Sequence, residues 1–435
     1  MMSDAGIAAL AVVLLLLLIA MRAPIFVALA VAGIAGLIGL NGLSGVELIP
    51  LSLVAQLQNY ALVAAPLYIL LGEVLAVSGL GRDLFGAAHR WFNRVPAGLG
   101  ASAIGSSTVF GAMSGVSISS VAVIGRMAVP EMLSRGYRPS FASGTVTASG
   151  ALAMLIPPSL MFILYSSVTG VSIASLFAGG LIPGLLLAAF MILYVVLRAK
   201  TAPANAPVSE ERFTWRERFV ALGKISPALG LVLLVLGSIY TGLATPTEAA
   251  AVGALAAFAV TGWVYRKLGW ANLKTIFSST AHVSASVLAI VGAAFIFTQM
   301  LVAARIPDAV SSFVVGLEVS RYLVIAAIMI VLVLLGCLVD AASLLLVVTP
   351  ILVPAIEGLG FDPLWFGVLL VVNLEMAVIT PPVGLNLYTM KSVVPELDLA
   401  DIFRGVIPYL AIEAAMLALV TAVPELATWL PEVLQ

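Results

Sequence analysis

Apolar runs long enough to cross a membrane follow one another along most of the chain. About 20 apolar residues in a helix cover the hydrocarbon thickness of a bilayer. Such runs lie at about 5–21, 24–41, 60–78, 141–165, 178–198, 226–243, 247–265, 280–303, 364–390 and 406–423. Two further apolar regions, at about 99–129 and 322–356, are interrupted by Gly, Ser, Pro or Asp. The pattern predicts an all-α integral membrane protein with about ten transmembrane helices.

The cations between the runs predict the orientation, because cytoplasmic loops carry an excess of Lys and Arg. The loops sort by charge if the N-terminus lies outside, although Arg305 and Arg321 then face outward as exceptions. Because Arg94 and Arg126 lie on one side, region 99–129 must enter and leave the membrane on the same face. The same parity makes 322–356 a second re-entrant hairpin. We therefore expect a multi-pass membrane protein with both termini on the outer side of the membrane.

The order of elements repeats in the two halves of the chain, 1–198 and 225–435. Each half reads as three spans, a hairpin, a span that contains two adjacent prolines, and a closing span. Five full crossings are an odd number, so the second half must insert upside down, as in secondary transporters built from inverted repeats. We expect 199–224 to form a cytoplasmic linker, and Gly79–Val95 to form an amphipathic helix at the inner membrane interface.

Composition excludes several classes of protein. Apolar residues make up 62% of the chain and charged residues only 9%, so most of the surface faces lipid. The net charge of −1 gives no sign of nucleic-acid binding. The single cysteine, Cys337, excludes an internal disulfide or a cysteine-based metal site. The chain has only two histidines and lacks a phosphate-binding G-x-x-x-x-G-K-[ST] motif, so we expect neither an enzyme nor a cofactor.

Two double prolines are the strongest local signals for a site. A proline has no N–H to donate to the carbonyl four residues earlier. Pro157–Pro158 and Pro381–Pro382 therefore each remove two donors, and the carbonyls affected are those of Ala153, Met154, Ala377 and Val378. A carbonyl in the membrane interior needs a partner, and a desolvated alkali ion is a good one. The alternative is two ordinary proline kinks, which transmembrane helices tolerate.

The hairpins supply further candidate residues. Ser114 and Ser117 lie in a Gly- and Ser-rich segment, where hydroxyls offer uncharged oxygens, although Gly111 and Gly115 also suit close helix packing. Asp340 in the second hairpin is able to ligate a cation, cap a helix or carry a proton. The candidate side chains for substrate binding or gating are Ser106, Ser107, Asp340, Glu375 and Asn386.

Several of these motifs together resemble a known family. The matching segments are Gly105–Glu131 with Gly136–Tyr137, Ile156–Ser159, Thr245–Ala249, and Asp362–Pro363 through Thr380–Leu387. They resemble the large membrane (M) subunit of tripartite ATP-independent periplasmic (TRAP) transporters, in the same order over nearly the whole chain.

The resemblance implies a mechanism, partners and ion ligands. It implies an elevator mechanism, in which a transport domain of hairpins and broken helices slides against a scaffold of the remaining spans. It also implies coupling to Na⁺, a separate small four-span (Q-type) membrane subunit and a periplasmic (P-type) substrate-binding protein. The positions that match the first sodium site are Ser114, Ser117, Ala153, Ile156 and Pro158. Those that match the second are Gly336, Ala377, Thr380 and Val383; family members often have glycine where this chain has Ala377.

We therefore predict sodium-driven secondary uptake of a small organic anion, a carboxylate such as a C4-dicarboxylate, delivered by a periplasmic binding protein. The alternative within transport is a carrier that works without a binding protein, or one driven by protons through Asp340 or Glu375. A channel would need a continuous polar stripe, whereas the polar residues here cluster at the breaks. A subunit with only an assembly role is the remaining alternative.

Overall fold

The computed structural model describes residues 3–47, 49–207 and 211–434, and within them it contains helices and no strand. The first half comprises α1 (Asp4–Ala20), α2 (Ile25–Asn41), α3 (Ser44–Glu47), α4 (Ile49–Leu57), α5 (Tyr60–Ser78), α6 (Leu80–Phe92), α7 (Gly98–Ser114), α8 (Ser117–Ser134), α9 (Pro139–Ala151), α10 (Leu160–Thr169) and α11 (Ile173–Thr201). The second half comprises α12 (Trp215–Tyr240), α13 (Pro246–Ala259), α14 (Trp270–Ala303), α15 (Ile306–Val315), α16 (Arg321–Gly336), α17 (Ala341–Gly358), α18 (Pro363–Val378), α19 (Leu385–Val393), α20 (Leu399–Ala422) and α21 (Glu425–Leu434).

The helices confirm the predicted all-α membrane architecture. Among the described residues, seven helices are long and apolar enough to span a bilayer: α5, α11, α12, α13 with the π turn after it, α14, α17 and α20. The apolar helices α1 and α2 are slightly shorter, with 17 residues each. The predicted spans at 141–165 and 364–390 are each built from two shorter helices, α9 with α10 and α18 with α19.

Some helices begin earlier or lie elsewhere than the apolar pattern predicts. α12 begins at Trp215, well before the apolar run at 226, because Thr214 and Glu217 form a capping box and the first turns remain helical although they are polar. The non-helical part of the predicted linker 199–224 is correspondingly shorter. Hydropathy alone also misses three elements that are too short or too polar to span: α3 with α4, α15, and α21. α15 comes directly after the long helix α14 in the second half, at the position that α6 has after α5 in the first half.

Both predicted hairpins are pairs of helices joined by short tips. α7 and α8 meet at Gly115 and Val116, and Gly115 has φ +62°, a left-handed conformation that favours glycine. α16 and α17 are joined by residues 337–340. The second arm of each hairpin therefore begins at a tip. This places the N-terminus of α8 and that of α17 beside the helix breaks described below.

The two double prolines occupy matching gaps between helices. After α9, a short 3₁₀ turn over Leu152–Met154 leads to a non-helical segment that ends at Ser159. After α18, residues 379–384 are non-helical before α19 begins. The Pro157–Pro158 and Pro381–Pro382 peptide bonds are both cis. The sequence prediction of one interruption in each of these spans agrees with these helix ends.

Packing between the two halves is reciprocal. α2 packs along α14, and α13 packs along α5. The first part of each broken span packs against the closing helix of the other half, as α9 against α20 and α18 against α11. The second part packs against the other half's hairpin, as α10 against α17 and α19 against α8. Each of these three contacts has its counterpart with the halves exchanged, as in a molecule with a pseudo-two-fold axis.

The closing helices are held tightly to the broken spans. On α20, Tyr409 hydrogen-bonds Thr145 of α9 at 2.7 Å, and the carbonyl of Val420 accepts a bond from the Trp365 indole at 2.9 Å. Gly180 of α11 packs so closely on the first break that a Cβ there would lie 2.6 Å from the Leu155 carbonyl oxygen. Buried hydrogen bonds and backbone contacts thus attach α11 and α20, which the resemblance assigns to the scaffold, to the broken helices.

Candidate ion and substrate site

The tip of the first hairpin lies directly on the first helix break. The Leu160 N–H donates to the Gly115 carbonyl at 3.3 Å, and a Cβ on Gly115 would lie 2.6 Å from the Pro158 carbonyl oxygen. Gly111 faces Ala153 with equally little room, since a Cβ there would lie 2.9 Å from the Ala153 Cα. The structure thus brings together the hairpin tip and the break that contain the first predicted set: Ser114, Ser117, Ala153, Ile156 and Pro158.

The carbonyls at this break differ in their hydrogen bonding. Ile156 gives its N–H to Leu152 at 2.9 Å, and Pro157 has none, so the turn that follows Ala153 offers its carbonyl no donor. The Met154 carbonyl, in contrast, accepts a hydrogen bond from the Ser159 hydroxyl. The sequence argument treated both carbonyls alike and is wrong for Met154, because a side chain of the same turn replaces the lost donor.

The tip of the first hairpin adds a second buried oxygen atom that has no hydrogen bond within the described residues, that of the Ser114 hydroxyl. Ser114 is 2% exposed, and its hydroxyl has no hydrogen-bond partner within the described part of the chain. Residues 151–160 and the tip from Ala112 to Gly115 are all buried. A buried polar atom without a partner is unfavourable by about 1–3 kcal/mol. The Ser114 hydroxyl and the Ala153 carbonyl therefore suit a desolvated cation.

The second break also has a hairpin packed on it, but it is more exposed, and the oxygens of Ala377 and Thr380 already take part in hydrogen bonds. A Cβ on Gly336, at the end of α16, would lie 2.5 Å from the Ala377 Cβ, so the second hairpin reaches this break. The Ala377 carbonyl accepts the Thr380 N–H at 3.1 Å, and the Thr380 hydroxyl donates to Met376 at 2.6 Å. Val383 is 39% exposed, whereas the corresponding part of the first break is buried. The second set of Gly336, Ala377, Thr380 and Val383 therefore surrounds an accessible break.

Asp340 has a definite structural role. Its Oδ1 accepts the backbone N–H of Ser343 at 3.0 Å, so Asp340 is the N-cap of α17. Its Oδ2 and the Ser343 hydroxyl are buried and have no partner among the described residues. Of the three roles left open by the sequence, helix capping is the one that the hydrogen bonds show.

The remaining candidate side chains divide by whether their polar atoms are already bonded. Ser106 donates to the Ser102 carbonyl of the same helix at 2.6 Å, and Ser107 accepts from the Ser149 hydroxyl of α9 at 3.1 Å. Both serines therefore already take part in hydrogen bonds inside the protein. Asn386, at the start of α19, is fully buried, and its amide O and N have no partner in the described ranges. Asn386 is thus available to a ligand, whereas the two serines are committed to internal bonds.

Glu375 lies opposite a second glutamate, Glu413. Both are 0% exposed, and neither carboxyl group has a hydrogen bond within residues 3–47, 49–207 and 211–434. They lie close enough for their charges to interact, and the Leu155 backbone also faces Glu375. Sequence reasoning did not rank Glu413, because an isolated acid in an apolar run gives no sign of its partner on another helix.

Charged groups at one end of the bundle connect the linker to the first hairpin. The Glu211 carboxylate contacts Arg135 at 3.0 Å and His89 at 2.9 Å, and Arg135 also contacts Glu131 at 2.7 Å. The hydrogen bonds from Arg135 and His89 hold the pKa of the Glu211 carboxyl below its ordinary value. The linker is thereby attached both to α6 and to the end of α8.

Comparison with known proteins assigns the family. The model of the tripartite ATP-independent periplasmic transporter, DctM component, matches residues 12–426. The chain belongs to this family. The chain is 34% identical over 376 residues to the C4-dicarboxylate TRAP transporter large permease protein DctM of Pseudomonas aeruginosa, covering 86% of this chain and 87% of the relative. This DctM-family chain is thus a membrane transport component and not an enzyme, as the sequence predicts.

Two further comparisons concern subunit composition and fold. The chain is 31% identical over 381 residues to the isethionate TRAP transporter permease protein DctMQ of Oleidesulfovibrio alaskensis, covering 86% of this chain and 60% of that longer protein. The crystal structure of the YdaH transporter of Alcanivorax borkumensis is similar with a TM-score of 0.58 at 17% identity, covering 88% of this chain and 89% of that one. At this identity the likeness concerns the fold alone.

Proposed function

We propose that this chain is the large membrane subunit of a sodium-driven uptake system for a small organic anion in the bacterial inner membrane. The observation that carries the proposal is the pair of helix breaks, each with a hairpin tip packed on it. At the first break the Ala153 carbonyl and the Ser114 hydroxyl are buried and receive no hydrogen bond from any residue that the structure describes. Hard cations such as Na⁺ prefer several such oxygens.

The anion would bind between the hairpin tips. In the first hairpin, α8 begins at Ser117, and its N-cap residue Val116 makes no side-chain cap hydrogen bond, so the first N–H groups of α8 remain available. In the second hairpin, Asp340 caps α17. A helix N-terminus with open N–H groups favours a carboxylate. Asn386 lies on α19, which packs against α8. Since the Pseudomonas relative carries a C4-dicarboxylate name, we propose a dicarboxylate or a related acid as substrate.

The proposed mechanism is an elevator built from two inverted repeats, 1–198 and 225–435, joined by the cytoplasmic linker 199–224. The reciprocal packing supports equivalent halves, and the distribution of cations supports opposite insertion with both termini outside. The moving part would include α7–α11 and α16–α21, since α11 and α20 are attached to the broken helices. The scaffold would be α1–α5 and α12–α14, with α6 and α15 as connecting arms.

The proposed partners are a small four-span Q-type membrane subunit and a periplasmic P-type binding protein. The name DctMQ of the longer relative supports a small membrane subunit as a partner. The alternative is a carrier that needs no binding protein or that is driven by protons. The observation favouring protons is the buried pair Glu375 and Glu413, which has no hydrogen bond within the described residues.

Uptake in proteoliposomes tests the proposal. We expect radiolabelled dicarboxylate to accumulate only with all three components and an inward Na⁺ gradient, and not with K⁺. Thr380→Val removes a hydroxyl at the second break and should lower sodium-driven uptake at least about tenfold, since it removes one of the oxygens proposed to bind Na⁺. Thr389→Val is the matched control, because its hydroxyl makes the same type of bond to a carbonyl four residues earlier, 2.9 Å away, outside the break. Uptake by this chain alone, or uptake driven by a proton gradient without Na⁺, would favour the alternative.

A further inference from the structure

A basic pocket lies between α6 and α12, away from the helix breaks. Its lining residues are Arg90, Arg216, Glu217, Val220, Ala221 and Lys224, and its volume is about 310 Å³. Arg216, Val220 and Lys224 are spaced by four residues, so they form one face of α12, and Arg90 faces them from α6. The basic pocket is thus a concave surface built by two helices that pack on each other.

The charges in the basic pocket do not cancel. Three cations surround one carboxylate, that of Glu217. The Glu217 Oε2 already accepts the N–H and the hydroxyl of Thr214 at 2.7 and 2.8 Å, as part of the cap of α12. The Arg90 guanidinium donates to the Gly86 carbonyl at 2.8 Å and lies over the Phe213 ring, so it is held in place. The pocket therefore presents a positive surface, in which Arg90 is held in place, beside the N-terminus of α12, and this surface favours an anion.

An exposed aromatic cluster adjoins the basic pocket. Trp215 and Phe219 lie on α12 one turn apart, and Trp91 of α6 meets both, with ring centroids 6.3 and 5.9 Å away. Trp215 is 61% exposed and Phe219 is 59% exposed. Val220, within the pocket, is 54% exposed. Exposed Trp beside Lys and Arg at the end of an apolar helix is the pattern of the membrane–water interface, where headgroups lie.

We propose that the basic pocket binds the phosphate headgroup of an anionic phospholipid. Arg90, Arg216 and Lys224 would contact the phosphate, and the exposed Val220 and the aromatic cluster would contact the glycerol and upper acyl chains. These apolar neighbours favour a lipid over a soluble anion, which would leave them in water. The lipid would bridge α12 to α6, the arm that leads to the first hairpin. The lipid would belong to the cytoplasmic leaflet, and this placement rests on the orientation given under the proposed function.

Native mass spectrometry of the purified full-length chain tests the proposal. We expect the wild-type chain to retain phosphatidylglycerol or cardiolipin and not phosphatidylcholine. The double variant Arg216→Ala/Lys224→Ala should bind the anionic lipid at least about tenfold more weakly, because each cation near an anionic headgroup adds to the attraction. Lys274→Ala is the matched control, since it removes an exposed cation from α14, outside the pocket. Both residues of the double variant are exposed, and its thermal unfolding should match that of the wild type.

Two outcomes would overturn the proposal. Equal retention of phosphatidylglycerol by the double variant and the Lys274→Ala control would show that the pocket does not bind lipid. Displacement of the lipid by inorganic phosphate at millimolar concentration would show a site for a soluble anion. Because the experiment measures no transport, a chain that binds lipid at the pocket yet shows no sodium-driven uptake would refute the proposed function alone.

Discussion

Individual carbonyls and hydroxyls decide what each helix break is able to bind. The position of a proline predicts which carbonyl loses its N–H donor, and the structure agrees at Ala153. It does not predict which carbonyl finds a new donor, because that depends on how the turn folds back. Ser159 reaches Met154, and the Thr380 N–H reaches Ala377. The candidate ion ligands are therefore fewer than the prolines alone suggest.

The Ser159 hydroxyl should contribute measurably to stability. Ser159→Ala would leave the buried Met154 carbonyl without its donor, which should lower the free energy of unfolding by about 1–3 kcal/mol. Thermal unfolding of the purified variant in detergent measures the effect. Ser134→Ala, which removes an exposed hydroxyl bonded to the Glu131 carbonyl at 2.9 Å, should change stability by no more than about 0.5 kcal/mol. Equal melting temperatures for the two variants would show that the Met154 carbonyl finds another partner.

At the scale of helices, sequence patterns located most elements, including the amphipathic α6, and missed several other short helices without a long apolar run. The double prolines placed both breaks, because proline directly removes helical hydrogen bonds. α15 was missed because its ten residues are too few to form a span. The early start of α12 depends on the Thr214–Glu217 capping box, which hydropathy does not register. The pairing of Glu375 with Glu413 depends on packing between distant helices and has no signal in either segment alone.

The start of α17 provides a test of what Asp340 does. If its role is capping, Asp340→Asn keeps a side-chain oxygen for the Ser343 N–H and should retain most of the sodium-driven uptake. Asp340→Ala should lower the free energy of unfolding by about 1 kcal/mol, as at other N-caps. Asp362→Asn, at the N-cap of α18, is a control with the same chemistry away from the hairpin tip. An Asp340→Asn protein that folds normally but no longer takes up substrate would show that the charge acts on an ion.

At the scale of the whole molecule, the linker holds parts of the structure together across one face of the bundle. Because the pKa of Glu211 is lower in the folded protein than in an unfolded chain, its contribution to stability is present at neutral pH. The contribution disappears as pH falls through that lowered pKa, below the ordinary glutamate value of about 4.3.

Comparison of the wild type with Glu211→Gln at two pH values isolates this contribution. The side chain is partly exposed, so the difference in the free energy of unfolding at pH 7 should be at most about 1 kcal/mol. It should shrink as the pH falls below the ordinary glutamate value of about 4.3, and it should vanish at a pH below the lowered pKa, where the wild-type carboxylate is protonated. Glu396→Gln, which removes an exposed carboxyl in the 394–398 loop, is the control substitution of the same chemistry. A constant difference at both pH values would show that Glu211 acts through packing and not through its charge.

The division into a moving part and a scaffold predicts which cross-links stop transport. Asn59, at the start of α5, donates to the Ser167 carbonyl of α10 at 3.2 Å, across the proposed sliding interface. With Cys337→Ala as background, a disulfide between Asn59→Cys and Ser167→Cys should abolish uptake, and a reductant should restore it.

The control is a disulfide within the moving part. The hydroxyls of Ser107 and Ser149 lie 3.1 Å apart on two helices of that part, so a disulfide between Ser107→Cys and Ser149→Cys joins these helices. It should leave uptake the same before and after reduction, because it restrains no relative motion. Mass spectrometry establishes how completely each disulfide forms. Suppose that fully cross-linked Asn59→Cys/Ser167→Cys protein transported as fast as the same protein after treatment with a reductant. Then α10 would not move relative to α5, and the elevator proposed for this fold would be refuted.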